Sequence, residues 1–376
     1  MTASPFLILD VATPRLSAGE VLRRQNETKL LIDTYAGHDR PTITVVQQRM
    51  QPNPTTYIGS GKVQEVFDLI KKTGLKYVVI NDIVKPGQIH ELKLILQKAN
   101  FDIEVWDRVD LIIHIFKKHA RTSEARLQIE LAAMRHMGPR IYGMGLVLSR
   151  QGAGIGAKGL GETNTERMKR HWREEVRETE EKLKKLADDR YLRMQRRKEL
   201  GIKTVAIVGY TNAGKSSLFN AVTGKKKLEK DALFATLDSA LGKLRVFSYD
   251  HEHPAPEILV SDTIGFINNL PPNLIQAFRS TLMETIHADL IVHVIDASDP
   301  EIELKMQVVH ETLADLDALH IPQITVMNKI DLPAAIPVEQ LQAMTKRYDP
   351  VYVSAKDGGG VKELILLIAK KIGEEV

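Results

Sequence analysis

The sequence predicts an α/β protein in which an N-terminal α/β domain and a helical hairpin precede a doubly wound, mainly parallel sheet. Three observations carry this expectation. Short β-branched apolar runs alternate with helix-length segments in both halves of the chain. A Gly-rich loop at 209–216 stands between one such run and a helical segment. The stretch from 166 to 200 is dense in charge and holds no Gly or Pro, as a long solvated helix requires. A length of 376 residues suits two or three domains. The expected divisions are 1–145 for the N-terminal domain, 146–200 for the Gly-rich loop and hairpin, and 201–376 for the second sheet.

Composition excludes several classes. With 43% hydrophobic and 27% charged residues the chain is ordinary for a globular protein. No apolar run approaches the ~20 residues that cross a bilayer, and Met1–Asp10 has no basic region before its short apolar stretch. No membrane anchor is therefore expected, and a cytoplasmic location is. The absence of cysteine excludes disulfides, thiolate metal sites and cysteine nucleophiles, and suits a reducing cytosol. A net charge of +4 decides nothing about partners; where the charge lies matters more.

In the N-terminal part, Thr42–Val46, Tyr77–Ile80 and Asp102–Val105 read as strands, and Lys62–Lys72 and Ile89–Ala99 as helices. Arg121–Met137 reads as a longer helix with Leu127, Ile129, Leu131 and Met134 apolar. Gly59-Ser60-Gly61-Lys62 is either a short second phosphate loop or a turn and helix start; Gly and Ser favour the second reading.

Gly209-Tyr210-Thr211-Asn212-Ala213-Gly214-Lys215-Ser216 has the spacing G-x-x-x-x-G-K-[ST]. Val205–Val208 before it reads as a buried strand and Ser217–Val222 after it as a helix. Glycines let the main chain close around a phosphate, while loop N–H groups and the helix N-terminus turn positive ends toward it. Lys215 is placed to reach the β and γ phosphates and Ser216 to ligate Mg2+, with Ser217 counted beside them. Ile324–Asp331 reads as a strand followed by N-K-x-D. Asp331 can accept from the N1–H and N2–H2 of guanine, a donor pair adenine lacks, so the wrong base leaves the carboxylate unpaired. Asn328 braces that pocket and the Lys329 stem lies over the base.

Three further pieces follow in order. Ile258–Gly265 is a strand ending in D-x-x-G, where Asp262 would hold Mg2+ through a water and the Gly265 N–H would meet the γ-phosphate. Phe234-Ala235-Thr236-Leu237-Asp238 falls where a switch loop belongs, with Phe234 beside the nucleotide and Thr236 a hydroxyl for Mg2+. Val351–Lys356 is a last strand and loop in which Ser354, Ala355 and Lys356 border the base, the Ala355 backbone facing guanine O6. Asp289–Asp296 supplies another strand, and helices are expected near 300–318, 337–347 and 360–373. Motifs in this order and spacing resemble a translation-factor-class P-loop GTPase, which implies GTP and GDP as ligands and Mg2+ as cofactor.

Two positions bear on mechanism. Phe266 follows D-x-x-G where many GTPases carry a water-orienting Gln. A phenyl ring cannot make those hydrogen bonds, so no catalytic side chain is assigned and slow intrinsic hydrolysis, stimulated by a partner, is expected. Packing alone is the other role for Phe266. Asn212 either helps to hold K+ beside the phosphates, as in some GTPases with an N-A-G-K-S loop, or simply tolerates an unusual loop backbone.

Arg150 to Thr163 combines five glycines with Arg150 and Lys158. Arg150, Lys158 and Gly159 are candidates to meet a nucleic-acid backbone, where cations neutralise charge and Gly permits close approach; a flexible linker is the alternative. From Glu166 to Leu200, Trp172, Val176, Thr179, Leu183 and Leu186 recur at spacings of four and three, a heptad-like seam. Two antiparallel helices, or one helix folding back on a neighbour, with a break near Asp188-Asp189, are expected. Arg190, Arg193, Arg196 and Arg197 at its far end are further RNA-contact candidates, with a plain solvated face as the alternative.

The chain as a whole is similar to the HflX family of ribosome-associated GTPases. The residues that carry the resemblance are Tyr57–Lys62, Asp107-Arg108, Ala125–Ala132, Pro139-Arg140, Leu148–Gln151 and Gly156–Glu166, ahead of the nucleotide motifs. Leu160 stands where a Pro is usual, and Asn164-Thr165 where a Gln-Leu pair is. The resemblance implies an N-terminal α/β domain and helical hairpin that enter the large (50S) ribosomal subunit and meet its rRNA, with GTP driving separation of stalled or idle ribosomes. A monomer is expected. The alternative is a GTPase that regulates RNA modification or ribosome assembly; the lack of cysteine and of a cofactor signature speaks against modification chemistry. A membrane-linked switch finds no lipidation motif or basic amphipathic helix.

Overall fold

Two mainly parallel sheets organise the chain. The structure, a computed structural model, describes residues 5–37, 40–151, 160–225, 240–245, 257–267, 279–337 and 348–373, with single positions at 274, 339 and 341; for 139–151, 160–165 and 279–281 it describes the backbone alone. The chain divides into two compact units, Met1–Lys118 with Arg126–Leu183, and His119–Ala125 with Lys184–Val376.

In the first unit, β1 (Phe6–Ala12), β2 (Thr42–Gln48), β3 (Tyr77–Ile80) and β4 (Glu104–Asp107) form a fully parallel sheet in the order β2-β1-β3-β4. Helices α1 (Ala18–Ala36), α2 (Ser60–Thr73), α3 (Pro86–Leu96) and α4 (Arg108–His119) make the connections. Strand β1 and helix α1 were not expected. Yet Ser17 and Glu20 form the S-x-x-E capping box that starts α1, with Ser17 N–H donating to Glu20 Oε2 at 2.6 Å and Glu20 N–H to Ser17 Oγ at 3.2 Å. Gly59 N–H donates to Gln47 Oε1 at 2.7 Å and caps α2, and Lys62 Nζ reaches Glu65 at 2.6 Å. Residues 59–62 are thus a turn and helix start. At the carboxyl edge of the sheet, buried Asp10 accepts from Asn81 Nδ2 at 3.0 Å, and burial raises its pKa. Asp107, Asp110 and His136 form a tight carboxylate–imidazole cluster whose acids cap the first turn of α4: Asp110 N–H donates to Asp107 Oδ1 at 2.8 Å and Asp107 N–H to Asp110 Oδ2 at 3.1 Å.

Helices α5 (Ser123–Gln151) and α6 (Leu160–Glu199) form the hairpin. Arg135 pairs with Glu180 at 2.8 Å and Gly138 lies under the Trp172 ring, so the two run antiparallel within the first unit. The seam holds: Thr179 and Leu183 are buried and Trp172, Val176 and Leu186 partly so. Two expectations are corrected. Helix α6 runs unbroken through Asp188-Asp189, because an exposed pair of acids does not oppose helix geometry as Gly or Pro would. Helix α5 continues past Met137 and through Pro139, although an interior proline removes a helix hydrogen bond; just before it α5 meets α6 through Arg135 and Gly138. Residues 152–159, which join the two helices and include Lys158 and Gly159, lie outside the described residues.

In the second unit the sheet order is β10-β9-β8-β5-β7-β6. Strands β5 (Lys203–Gly209), β7 (Ile258–Asp262), β8 (Leu290–Asp296), β9 (Gln323–Asn328) and β10 (Val351–Tyr352) are parallel; β6 (Ala240–Lys243), which was not foreseen, pairs antiparallel with β7 at the edge. Among the described residues its helices are α7 (Lys215–Thr223), α8 (Arg279–Ile286), α9 (Ile302–Asp315) and α10 (Val361–Gly373). The helix expected over 337–347 falls largely outside the described residues. Strand β5 is central, flanked by β7 and β8, which makes its carboxyl end the topological switch point where open α/β sheets bind ligands.

A Cβ at Gly138 would sit 2.8 Å from Trp172 Nε1 and 3.0 Å from the ring. Gly138→Ala is therefore expected to destabilise the first unit by about 1–3 kcal/mol, read as a lower urea midpoint at unchanged slope. An unchanged midpoint would contradict this close packing.

Candidate nucleotide site

The loop from Gly209 to Gly214 leaves the end of β5 and enters α7 at Lys215. Gly214 has φ 90, and a Cβ there would collide with the Asn328 amide, so only Gly suits the close approach. Lys215 is buried and donates to the Tyr210 carbonyl at 2.7 Å. Burial lowers its pKa to about 8, against the opposing pull of Asp262. Asn212 is exposed with φ 64, the left-handed backbone the loop needs. Thr211 Oγ1 is buried without a hydrogen-bond partner. A buried hydroxyl and a buried ammonium in one glycine-lined loop fit an anionic ligand. Ser216 Oγ donates to Asp262 Oδ2 at 2.8 Å, which puts two hard oxygen donors side by side, a set that fits Mg2+.

The D-x-x-G segment closes against this loop. Thr263 Oγ1 donates to the Ile207 carbonyl at 2.7 Å. Phe266 forms a parallel bridge with Tyr210: Thr211 N–H donates to the Phe266 carbonyl at 2.7 Å and Phe266 N–H to the Gly209 carbonyl at 3.1 Å. The Phe266 side chain is buried, so its packing role is met. A Cβ at Gly265 would lie 2.8 Å from both Lys215 Nζ and Thr211 Cγ2.

The base-side motifs converge on the same loop. Asn328 Nδ2 donates to the Ala213 carbonyl at 2.9 Å, and Asn328 Oδ1 accepts from Ala355 N–H at 3.0 Å. Ser354 Oγ donates to Asp331 Oδ1 at 2.8 Å. Lys329 has φ 65 and its ammonium lies 2.7 Å from Asp296 Oδ2; Lys356 is exposed. Phe234 and Thr236 lie outside the described residues. Asp296 carried no role in the sequence reading. Its signal was available: a polar residue closing an apolar strand at the carboxyl edge of a doubly wound sheet. His293 on β8 was also passed over; it is buried, and burial, with Lys215 and His310 adding, lowers its pKa to about 4.

The basic end of α6 is partly committed within this unit. Arg190 pairs with Glu124 at 2.8 Å, and Arg197 forks onto Glu284 at 3.3 and 3.1 Å. Arg193 and Arg196 are exposed. For Arg150 only the backbone is described.

Three family models match in succession: "GTP-binding GTPase N-terminal" over residues 23–117, "GTP-binding GTPase Middle Region" over 119–197 and "50S ribosome-binding GTPase" over 204–329. A GTPase HflX from Caldanaerobacter subterraneus subsp. tengcongensis is 40% identical over 360 residues, 96% of this chain and 79% of that protein. The chain belongs to the HflX family of GTPases. HflX proteins of Escherichia coli and Methanocaldococcus jannaschii are 35% and 37% identical over 88% and 84% of the chain, each with 75% of its own length covered. As an HflX GTPase the protein binds GTP and hydrolyses it to GDP and phosphate. Among solved structures, SsGBP in complex with GDP is 22% identical with a TM-score of 0.51, over 98% of this chain and 99% of that one, a likeness of fold. No helix among the described residues is long and apolar enough to cross a membrane.

Because His293 titrates near 4 when folded and near its ordinary value of 6.5 when unfolded, the unfolded chain holds the extra proton between the two. Stability is complete above the unfolded value and falls as pH drops through this window. Removing the ring in His293→Leu is expected to flatten that acid decline by about 3 kcal/mol, measured by denaturant melts across the window; an equally steep decline in the variant contradicts it.

Proposed function

We propose that this GTPase binds the large ribosomal subunit and separates stalled or idle ribosomes, with GTP setting the binding-competent state and the ribosome stimulating slow intrinsic hydrolysis. The observation that carries the reading is the hairpin of α5 and α6. It is long and antiparallel, and the sequence joining its two helices mixes Gly with Arg and Lys. A long helical hairpin whose joining sequence is basic and glycine-rich suits a confined phosphate-lined channel. Arg150, Lys158 and Gly159 would meet rRNA there. Arg193 and Arg196 offer exposed cations, while Arg190 and Arg197 would first have to leave their carboxylates. The match of residues 204–329 to a model described as a 50S ribosome-binding GTPase supports the same partner.

At the nucleotide, Lys215 and the loop N–H groups would hold phosphates, Ser216, Thr236 and Asp262 would hold Mg2+, and Asp331, Asn328, Lys329 and the Ser354–Lys356 loop would hold guanine. Bound Mg2+ would supply charge neutralisation on the phosphate oxygens. Asn212 would lend its amide to K+. The main-chain bridge between Phe266 and Tyr210 supports slow intrinsic turnover: the residue after D-x-x-G is buried, and its backbone is tied to the phosphate loop. A partner that opens that bridge would free the Thr211 and Phe266 N–H groups for the nucleotide. A monomer in the cytoplasm fits this role.

Two outcomes test the reading. In sucrose gradients with a non-hydrolysable GTP analogue, the protein should co-migrate with 50S particles and deplete 70S particles; sedimentation only at the top of the gradient sinks the proposal. Separately, phosphate oxygens would hold Lys215 protonated, so nucleotide affinity should be complete below its free value of about 8 and fall as pH rises through it. Between about pH 7.5 and pH 9 the dissociation constant for GDP should rise roughly eightfold, a trend absent in Lys215→Ala.

A further inference from the structure

The ammonium of Lys329 is met by a carboxylate from a different strand, and that carboxylate is itself held. Strands β8 and β9 are paired in parallel register with Asp296 opposite Asn328, and Ala297 N–H donates to the Asn328 carbonyl at 2.8 Å. This sets Asp296 one strand away from Lys329. Its Oδ2 lies 2.7 Å from Lys329 Nζ. Its Oδ1 accepts from Ser298 N–H at 2.9 Å and from Ser298 Oγ at 2.6 Å. The pair is partly shielded, with side-chain exposures of 25% for Lys329 and 15% for Asp296.

A lysine stem that is to lie flat over a base has a specific difficulty. Its long chain has many rotamers to lose on ordering, and its ammonium is drawn toward any nearby phosphate. Stacking therefore requires an anchor that holds the ammonium away from the phosphates. Lys329 already stands in a left-handed backbone, φ 65, which directs its stem back over the phosphate loop; its Cε is the third-nearest atom, at 4.0 Å, to a Cβ built on Gly214. Asp296 supplies the anchor, and Ser298 fixes the anchor.

Resting on the reading of N-K-x-D as the guanine pocket, we infer that Asp296 is a positioning residue for nucleotide binding: held by Ser298, it pins Lys329 in the pose that covers the base. It has no contact with the nucleotide in this role and acts through Lys329 alone. The group it serves is the purine face, so it strengthens binding without choosing between guanine and adenine, which remains the work of Asp331.

The test uses the full chain with fluorescent mant-GDP and mant-ADP. Wild type should prefer mant-GDP; if it does not, the guanine reading itself is wrong and the role of Asp296 falls with it. Given that preference, Asp296→Asn should weaken mant-GDP binding about three- to tenfold, the cost of leaving one long side chain to be ordered by the ligand. The effect should fall on KM rather than kcat in GTP turnover. Asp296→Glu should recover part of it, and Ser298→Ala should show a smaller loss in the same direction. In a Lys329→Ala background Asp296→Asn should add nothing, since its effect runs through the missing ammonium. Three results would overturn the inference: unchanged mant-GDP affinity in Asp296→Asn, tighter binding, which would make Asp296 a competitor for Lys329, or an equal loss with and without Lys329. Should Asp296→Asn fail to fold, Ser298→Ala in the two backgrounds, with its melting temperature measured, decides between the same outcomes.

Discussion

One side chain joins the two halves of the nucleotide site. Asn328 closes β9, donates to the carbonyl of Ala213 in the phosphate loop and accepts from the amide of Ala355. Three segments far apart in sequence thus share a single primary amide. Its donor and acceptor are both used, and the group is buried, so losing either contact would leave a polar atom unsatisfied at a cost of about 1–3 kcal/mol. The same amide occupies the space a side chain at Gly214 would need. Gly214 is therefore required by the close approach of the Asn328 amide.

Around that joint the site is prepared for charge that the chain itself does not supply. A buried lysine with a lowered pKa and a buried threonine hydroxyl without a partner are each costly in an interior. They sit beside a well-packed sheet: Val205 and Ile207 of central β5 share one buried apolar cluster with Ile258 and Val260 of β7 and Val292 and Val294 of β8. The D-x-x-G segment is tied to the loop through the main chain, with Thr211 N–H donating to the Phe266 carbonyl and Phe266 N–H to the Gly209 carbonyl. Backbone groups suited to a ligand are then occupied by the protein, which is a physical basis for a site that changes shape with its contents.

The hairpin depends on a different balance. Helix α6 carries few apolar residues and is among the most polar segments of the chain. Among the described residues α5 and α6 meet along a seam, with Trp172 against Gly138 and Arg135 against Glu180. The last turns of α6 have other commitments: Arg190 and Arg197 are tied to Glu124 and Glu284 within the second unit. The compact units accordingly divide inside α6, at Leu183 and Lys184, and not at the end of the helix. A charge run that looks uniform in sequence thus splits into paired and exposed arginines.

The sequence by itself determined the α/β class, the parallel second sheet, the family and the order of the nucleotide motifs. Each of these rests on short-range patterns: continuous apolar runs, glycine spacing and a heptad seam are local and survive without tertiary knowledge. It also contained, unread, the capping box of α1 and the polar end of β8. Other features depended on tertiary structure. Helix α5 passes through Pro139, where local propensity alone argues the reverse. Edge strand β6 is too short to declare itself. That Asp296 meets Lys329, or that Phe266 meets Tyr210, follows from strand order and register, which bring together residues that no sequence spacing relates.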